Sequence, residues 1–229
     1  MNLEDAKNVL RRRAVVFQIG GFRPSEDPLA SWFGRVNVAA AGESWPMTDG
    51  LPMHALCQIN LTELPFRPPR LEDIDFITVF IGPKTLPDEE PNGTFWCLRA
   101  YRSLAELGKL AQVDSGSYIK PFPMRPEAVD EDFPVWDDVE VELDEDVDED
   151  YYEHFRNVGG VKLGGWPSLI QNSVFCASSS VDPAAPQYVF QIDSVEKCNW
   201  IWGDSGVGYF ARGTTPGHED EWSCDWQCY

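Results

Sequence analysis

Gly203-Asp204-Ser205-Gly206 is the stretch of this sequence that most resembles an active-site motif, because chymotrypsin-like serine proteases carry their nucleophile in such a sequence. Those proteases have a second glycine where this chain has Val207, and the candidate base His54 falls within a predicted strand. A nucleophilic serine needs a base within ~3 Å and a third group that orients the base, and the sequence supports neither. Apolar runs at residues 199–202 and 207–211 flank the motif, so we interpret it as a hairpin or tight loop.

Cysteines offer a second kind of chemistry, and Cys224 and Cys228 are close enough in sequence to suggest zinc binding. From Trp222 onward the residues alternate with the period of a half-buried strand. Residues four apart on a strand are separated by about 13 Å, whereas two thiolates on one zinc ion lie within about 4 Å. We therefore expect no metal site and predict that the thiols are reduced and pack as small core residues. The cysteines concerned are Cys57, Cys97, Cys176, Cys198, Cys224 and Cys228.

Charge is the strongest compositional signal, with 38 acidic against 18 basic residues and a formal net charge of −20. Residues 127–153, the acidic run, hold 15 of the acidic residues and no lysine or arginine. Nucleic acid, a polyanion, is therefore not expected as a partner. Such a run is typical of a solvated linker or loop, but dense negative charge also accelerates association with a basic partner.

Several function classes are not expected from the sequence. No apolar run approaches the ~18 residues that a membrane-spanning helix needs, and the charged N-terminus lacks the pattern of an export signal, so we expect a cytoplasmic protein without a membrane partner. The sequence contains neither the Gly-x-x-x-x-Gly-Lys-Ser/Thr loop nor a Gly-x-Gly-x-x-Gly motif that opens a helix, so we expect no cofactor. Among so many acidic residues some pair of carboxylates can always meet in space and act as general acid and base, but the spacing in the sequence does not select such a pair.

The elements that position these residues are mostly strands. Apolar alternation or continuous apolar runs predict extended segments at residues 14–19, 52–64, 76–81 and 95–101, besides the strand from residue 222. The segment 52–64 has one apolar face, whereas 76–81 is apolar on both. Helical spacing predicts helices at residues 3–13 and 103–111.

Three short patterns recur in the same order at offsets of 130 to 133 residues. Phe33-Gly34 matches Leu163-Gly164, Cys57-Gln58-Ile59-Asn60 matches Phe190-Gln191-Ile192-Asp193, and Val79-Phe80 matches Tyr209-Phe210. A shared order at nearly one offset indicates internal duplication, with coincidence among strand-like sequences as the alternative. We predict an α+β fold, mostly antiparallel β, whose pseudo-symmetric halves are joined by the acidic run.

The predicted organisation is one compact unit with three parts. Residues 1–112 would form an N-terminal helix and the first β-rich repeat, and residues 156–229 the second repeat. Residues 113–155, rich in proline and acidic side chains, would connect them.

Motifs in both halves occur in an order that is typical of one protein family. They are Ser31-Trp32-Phe33-Gly34, Trp45-Pro46, Cys57-Gln58-Ile59-Asn60-Leu61, Lys162-Leu163-Gly164-Gly165-Trp166-Pro167, Phe190-Gln191-Ile192-Asp193-Ser194, Trp202-Gly203-Asp204-Ser205-Gly206 and Trp226-Gln227-Cys228-Tyr229. From about residue 31 to the C-terminus, the sequence thus resembles the YwqG-like family of bacterial proteins. Arg35, Cys57 and the long acidic insertion depart from the usual pattern of that family.

The resemblance implies a mostly β, internally duplicated α+β fold in a cytoplasmic bacterial protein. It implies little about activity, because the function of the family is unknown. Members look like genomic neighbours of secreted polymorphic toxins, so the resemblance implies an immunity or partner-binding role by association.

Our first hypothesis is a non-catalytic protein whose acidic run docks a protein partner, such as a basic toxin domain that it neutralises. The hypothesis is motivated by the concentrated negative charge of the acidic run and by the lack of a recognisable set of catalytic residues in the sequence. The partner-binding candidates are Asp144, Glu145, Asp146, Asp148, Glu149 and Asp150.

The alternative hypothesis is a small-ligand or enzymatic site in the groove between the two halves. Polar residues of the paired motifs would line it, although such residues also commonly bond turn and strand-end backbone. The candidates are Gln191, Asp193, Trp202 and Asp204, with Gln58 and Asn60 as first-half counterparts.

Overall fold

Antiparallel strands form most of this molecule, as a computed structural model of residues 1–175 and 182–229 shows. Strands account for 33% of the described residues, and α-helices and 3-10 helices together for 13%. The α-helices are α1 (Leu3–Leu10), α2 (Glu145–Glu149) and α3 (Tyr151–His154). The strands are β1 (Arg12–Ile19), β2 (Trp32–Phe33), β3 (Val38–Ala40), β4 (Met47–Thr48), β5 (Leu51–Pro52), β6 (His54–Asn60), β7 (Phe76–Ile81), β8 (Trp96–Tyr101), β9 (Leu107–Lys109), β10 (Phe122–Asp132), β11 (Lys162–Gly164), β12 (Gln187–Asp193), β13 (Val207–Arg212) and β14 (Trp222–Gln227).

The main sheet has ten strands in the order β14-β13-β12-β11-β1-β10-β2-β6-β7-β8. Its central pair is β1 and β10, which run antiparallel from Arg12 opposite Asp132 to Ile19 opposite Met124. The two ends of the sheet approach each other, since the Trp226 indole N–H at the end of β14 donates to the Pro87 carbonyl ahead of β8 at 2.6 Å. The sheet is therefore nearly closed.

A single large apolar cluster fills the inside of this sheet. Its buried members come from strands on both sides of the central pair, and Trp96 of β8 meets Phe210 of β13 with ring centroids 6.1 Å apart. Other members are Val15, Phe33, Ile59, Leu163 and Phe190. The two halves of the chain thus share one core.

Most of the predicted strands are confirmed. β6, β7, β8 and β14 lie where apolar runs or alternation placed them. β6 is buried on both faces rather than one, because the segments before and after β2 cover its second face. Helix α1 ends earlier than residue 13, since the Arg11 N–H closes its last turn on the Lys7 carbonyl at 3.1 Å and β1 begins at Arg12.

The helix predicted at residues 103–111 is wrong. The chain forms one 3-10 turn at Leu104–Glu106 and then β9, which pairs antiparallel with β3. The backbone hydrogen bonds that β3 supplies outweigh the helical spacing of the leucines, because a short helix without a well-buried face gains little.

The loop predicted at Gly203-Asp204-Ser205-Gly206 is confirmed. The Gly206 N–H donates to the Trp202 carbonyl at 2.7 Å, and Gly203 and Ser205 both have positive φ. A Cβ on Gly206 would lie 1.9 Å from the Gln227 carbonyl oxygen, so the turn packs directly on β14. His54 lies in β6 of the other half, with Nδ1 3.4 Å from the Ser115 hydroxyl, and thus makes no triad with Ser205.

Cys57, Cys97, Cys198 and Cys224 are buried free thiols, whereas Cys228 is partly exposed just beyond β14. The burial of these four matches the expected packing role, and burial raises the pKa of the Cys198 thiol to about 11. Cys176 lies outside the described residues. None of the helices in the described parts of the chain has the length and apolar character needed to cross a lipid bilayer.

Candidate functional site

The first-half ligand candidates support neighbouring loops. Gln58 is fully buried; its amide nitrogen donates to the Ala30 carbonyl at 2.6 Å and its oxygen accepts from the Asn37 N–H at 2.7 Å. Asn60 ends β6 and caps the following 3-10 turn, with Oδ1 accepting from the Thr62 N–H at 3.0 Å. All these hydrogen bonds fix the backbone around β2 and β6.

The second-half candidates Gln191 and Asp193 make a similar set of contacts. The Gln191 oxygen accepts from the Ser168 N–H at 2.8 Å, and its nitrogen donates to Asp193 Oδ1 at 2.7 Å. Asp193 also accepts from the Gly160 N–H at 2.6 Å, and burial raises the pKa of its carboxyl above the usual value. Asp193 borders a small cavity of about 300 Å³ with Asn157, Ser168, Ser194 and Tyr229 among its other lining residues.

Trp202 and Asp204 lie apart from those hydrogen bonds. Trp202 is fully buried against Trp200, with ring centroids 5.0 Å apart, and its indole N–H has no hydrogen-bond partner within the described residues. Asp204 is exposed at the tip of the loop. A hydrogen bond therefore joins Gln191 to Asp193, whereas Gln58 and Asn60, both on β6, bond different loop segments, and the structure does not gather all six candidates at one site.

A buried ion pair, which the sequence did not single out, connects the central strands. Lys162 Nζ lies 3.0 Å from Asp132 Oδ2, and both side chains have 0% exposure. Asp132 accepts two further hydrogen bonds, from the N–H of Trp166 at 2.7 Å and of Val158 at 2.8 Å. Burial lowers the pKa of Lys162, and the Asp132 charge opposes that shift. Three donors around one carboxylate offset much of the cost of burying it.

The groove between the halves contains a cavity of about 560 Å³, here called the arginine groove. Its walls come from the start of β1, the loop between β6 and β7, the end of β11 and the start of β12. Its side chains include Arg12, Arg13, Phe66, Arg67, Arg70 and Tyr188. Arg11-Arg12-Arg13 and Arg67-Pro68-Pro69-Arg70 were visible in the sequence, but only the fold places them together.

The four arginines differ in their partners. Arg13 pairs with Asp130 at 3.1 Å and Arg67 with Asp75 at 2.8 Å. Neither of the other two, Arg12 and Arg70, has a carboxylate within 4.0 Å among the described residues, and burial lowers the pKa of each guanidinium from its usual value. Even so, an arginine remains protonated at neutral pH.

Aromatic rings and nearby charges define the setting of these guanidinium groups. Arg12 stacks over the Trp166 ring at 3.3 Å, and Arg13 over the Phe66 ring at 4.1 Å. After burial, the Asp138 carboxylate has the largest effect on the pKa of Arg12, and it raises that pKa. The Arg70 guanidinium lowers the pKa of Arg12 further, whereas the carboxylates of Asp132 and Glu140 raise it. The groove thus holds positive charge within a strongly acidic molecule.

The acidic run is folded against the body of the protein. Residues 127–132 belong to β10, and residues 137–153, here called the acidic segment, carry α2 and most of α3. Val147 and Tyr151 are buried beside Ala6 and Leu10 of α1. The Tyr151 hydroxyl donates to the Pro134 carbonyl at 2.9 Å. Apolar contacts therefore hold the acidic segment in place.

Its carboxylates point largely to solvent. The exposed ones are Asp137, Glu140, Glu142, Asp144, Glu145, Asp146, Asp148, Glu149, Asp150 and Glu153. Within the described residues, the only ion pair of the acidic segment joins Asp144 to the N-terminal amine of Met1, at 2.8 Å. Trp136 donates its indole N–H to Asp148 at 2.8 Å. The segment is thus a fixed region of largely unneutralised negative charge, and it contains all six partner-binding candidates.

Comparison with protein families gives one match. The family described as "Domain of unknown function (DUF1963)" matches residues 89–212, just over half of the chain. The chain belongs to the DUF1963 family. This is the YwqG-like family that the motifs resemble, and the matched range includes β10, the acidic segment and the second-half motifs up to Gly206. No curated protein matches this DUF1963 chain.

Proposed function

We propose that this DUF1963 protein is a non-catalytic binding protein whose acidic segment docks a basic protein partner. The observation that carries the proposal is that ten exposed carboxylates are held in a folded segment with one ion pair among the described residues. A dense patch of negative charge raises the association rate with a basic partner, and a folded segment loses less conformational entropy on binding than a mobile tail of the same composition, which favours affinity.

The proposed partner is a cytoplasmic basic toxin domain, for which this protein would be the immunity protein. Members of the family look like genomic neighbours of secreted toxins, and this supports the step by association. The local charge supports it physically, since a basic nuclease-like surface would be attracted and its nucleic-acid-binding face covered.

We also propose that the chain is an internal duplication. The strands β2-β6-β7-β8 and β11-β12-β13-β14 flank the central pair in matching order. Gln58 of β6 and Gln191 of β12 lie on corresponding strands. Gln58 accepts from a backbone N–H in the loop after β2, and Gln191 from one in the loop after β11. Superposition of residues 31–101 on residues 161–227 tests this proposal.

The experiment for partner binding is affinity capture from the native cell lysate, followed by kinetics with the captured protein. Deleting residues 127–153 would remove half of β10, so the test variant instead carries amide replacements at the six candidates: D144N, E145Q, D146N, D148N, E149Q and D150N. These replacements keep side-chain size and remove six charges.

A matched control removes six exposed charges elsewhere: E26Q, D49N, D88N, E89Q, E106Q and D114N. We expect the association rate with the captured partner to fall at least tenfold in the test variant and to fall steeply with salt in the wild type, as steered encounters do. An association rate that the control lowers as much as the test variant, or one that salt leaves unchanged, would overturn the proposal.

A further inference from the structure

We propose that the arginine groove binds a small molecule that carries a phosphate group. The groove lies where β1, β11 and β12 meet the loop between β6 and β7, so both halves of the chain contribute to it. The lining residues include none of the six ligand candidates of the sequence motifs and none from the acidic segment, although Asp138 and Glu140 of that segment act electrostatically on Arg12.

The charge balance of the groove points to a dianion. Arg13 and Arg67 are each neutralised by an aspartate. Arg12 and Arg70 have no such ion pair among the described residues, and the Arg70 guanidinium contributes to the lowered pKa of Arg12. Arg70 is half-buried and Arg12 is exposed, and the Asp138 carboxylate raises the pKa of Arg12. Because neither guanidinium has an ion pair in the described parts of the chain, an anion between them would relieve their mutual repulsion, and a phosphate monoester supplies close to two negative charges at neutral pH. Guanidinium and phosphate also match in bidentate geometry.

The backbone of Arg70 gives a second, independent argument. Arg70 has φ of +66°, in the left-handed region where side chains other than glycine are strained. Its carbonyl accepts from the Arg212 guanidinium at 2.7 Å, whereas its own guanidinium makes only a long contact of 3.4 Å with the Tyr188 carbonyl. Strain of this kind concentrates at ligand sites. Binding of an anion would account for an arginine at a position whose backbone favours glycine.

Size and lining decide the kind of phosphate. A volume of about 560 Å³ lies within the range of small-molecule sites. Phe66, Pro69, Tyr188 and Val189 add apolar surface beside the arginines. The net charge of −20 opposes the approach of a long polyanion. The expected ligand is therefore a phosphate monoester with an apolar or aromatic portion.

Titration calorimetry with phenyl phosphate as the probe tests the proposal. Inorganic phosphate reports the contribution of the phosphate group alone, and benzoate, a ring with a single negative charge, is the comparison for charge. We expect measurable binding of phenyl phosphate, weaker binding of inorganic phosphate, and an affinity for benzoate at least tenfold below that for phenyl phosphate. Equal affinities for benzoate and phenyl phosphate would overturn the phosphate assignment, and no binding of any probe at millimolar concentration would overturn the site.

Variants locate the binding. Arg12→Gln and Arg70→Gly should each weaken phenyl phosphate binding at least tenfold, whereas Arg11→Gln, one residue from Arg12 and outside the groove, should leave it unchanged. Arg70→Gly is also expected to melt at the same or a higher temperature than the wild type, because glycine removes the strain at this φ. Equal losses in Arg11→Gln, or none in the groove variants, would contradict the assignment.

Discussion

At the scale of single residues, buried polar side chains hold the loops of this protein in place. Gln58 and Gln191 accept from loop N–H groups, and Asp132 receives Lys162 together with two backbone donors. The sequence drew attention to the glutamines through their repeated motifs. Asp132 did not stand out, because it is one of 15 acidic residues in the acidic run and looks like the others until β1 and β11 bury it.

The pair of Asp132 and Lys162 gives an asymmetric prediction. Asp132→Asn removes the charge that compensates the fully buried ammonium and turns one of the two acceptor oxygens into an amide donor, so we expect a loss of about 3–5 kcal/mol in the free energy of unfolding. Lys162→Met should cost less, since the carboxylate keeps the N–H groups of Val158 and Trp166. Chemical denaturation of both single variants and the double variant measures these effects. Equal losses in the two single variants would argue against this account.

At the scale of elements, the strongly apolar strands were predictable from the sequence, whereas β10 of the central pair was not. β6, β7, β8 and β14 carry apolar runs or regular alternation. β10 contains Pro123, Pro126 and four acidic residues, all of them unusual in strands. The sheet tolerates Pro126 because β2 pairs with β10 only at Phe122 and Pro123, so that Pro126, opposite Phe17 of β1, has a strand partner on one side only. Strands of two or three residues, such as β2 and β11, are too short to have a period.

A salt bridge between elements predicts how stability depends on pH. Arg212 of β13 is buried and holds Asp73, in the loop before β7, through two contacts of 2.6 and 2.8 Å. Hydrogen bonding to Arg212 lowers the pKa of Asp73 from 3.8 to about 2. Between these values the unfolded chain binds the proton first, so the stabilisation is complete above about pH 4 and is lost as the pH falls towards 2.

Asp73→Asn should therefore lower the free energy of unfolding at neutral pH, by about 1 kcal/mol after allowance for the partial exposure of Asp73. The difference from the wild type should shrink as the pH falls from 4 to 2. Urea titrations at several pH values check this, with Asp75→Asn as a control, since Asp75 pairs with the different arginine Arg67. A difference that stays constant down to pH 2 would contradict the assignment to this salt bridge.

At the scale of the whole molecule, negative and positive charge are distributed differently along the chain. Negative charge is concentrated in the acidic segment, whereas the arginine groove collects positive side chains from distant parts of the chain. The acidic run could be read from composition, because it is local in sequence. The groove could not, because it depends on how β1, β11 and β12 meet the loop between β6 and β7. The alternative hypothesis from the sequence was a site between the halves, but none of its six candidate residues lines the arginine groove.

The shared core predicts that the two halves unfold together. Trp96 and Phe210 meet across the halves, and the long pairing of β1 with β10 joins the N-terminus to the middle of the chain. Neither half can bury its apolar face alone, so we expect one cooperative transition in guanidinium chloride, with coincident tryptophan fluorescence and far-ultraviolet circular dichroism curves. A fragment of residues 20–229, which lacks β1, should be unfolded, because β10 and β11 lose the strand between them. Two resolved transitions, or a folded fragment, would show that the halves are independent units.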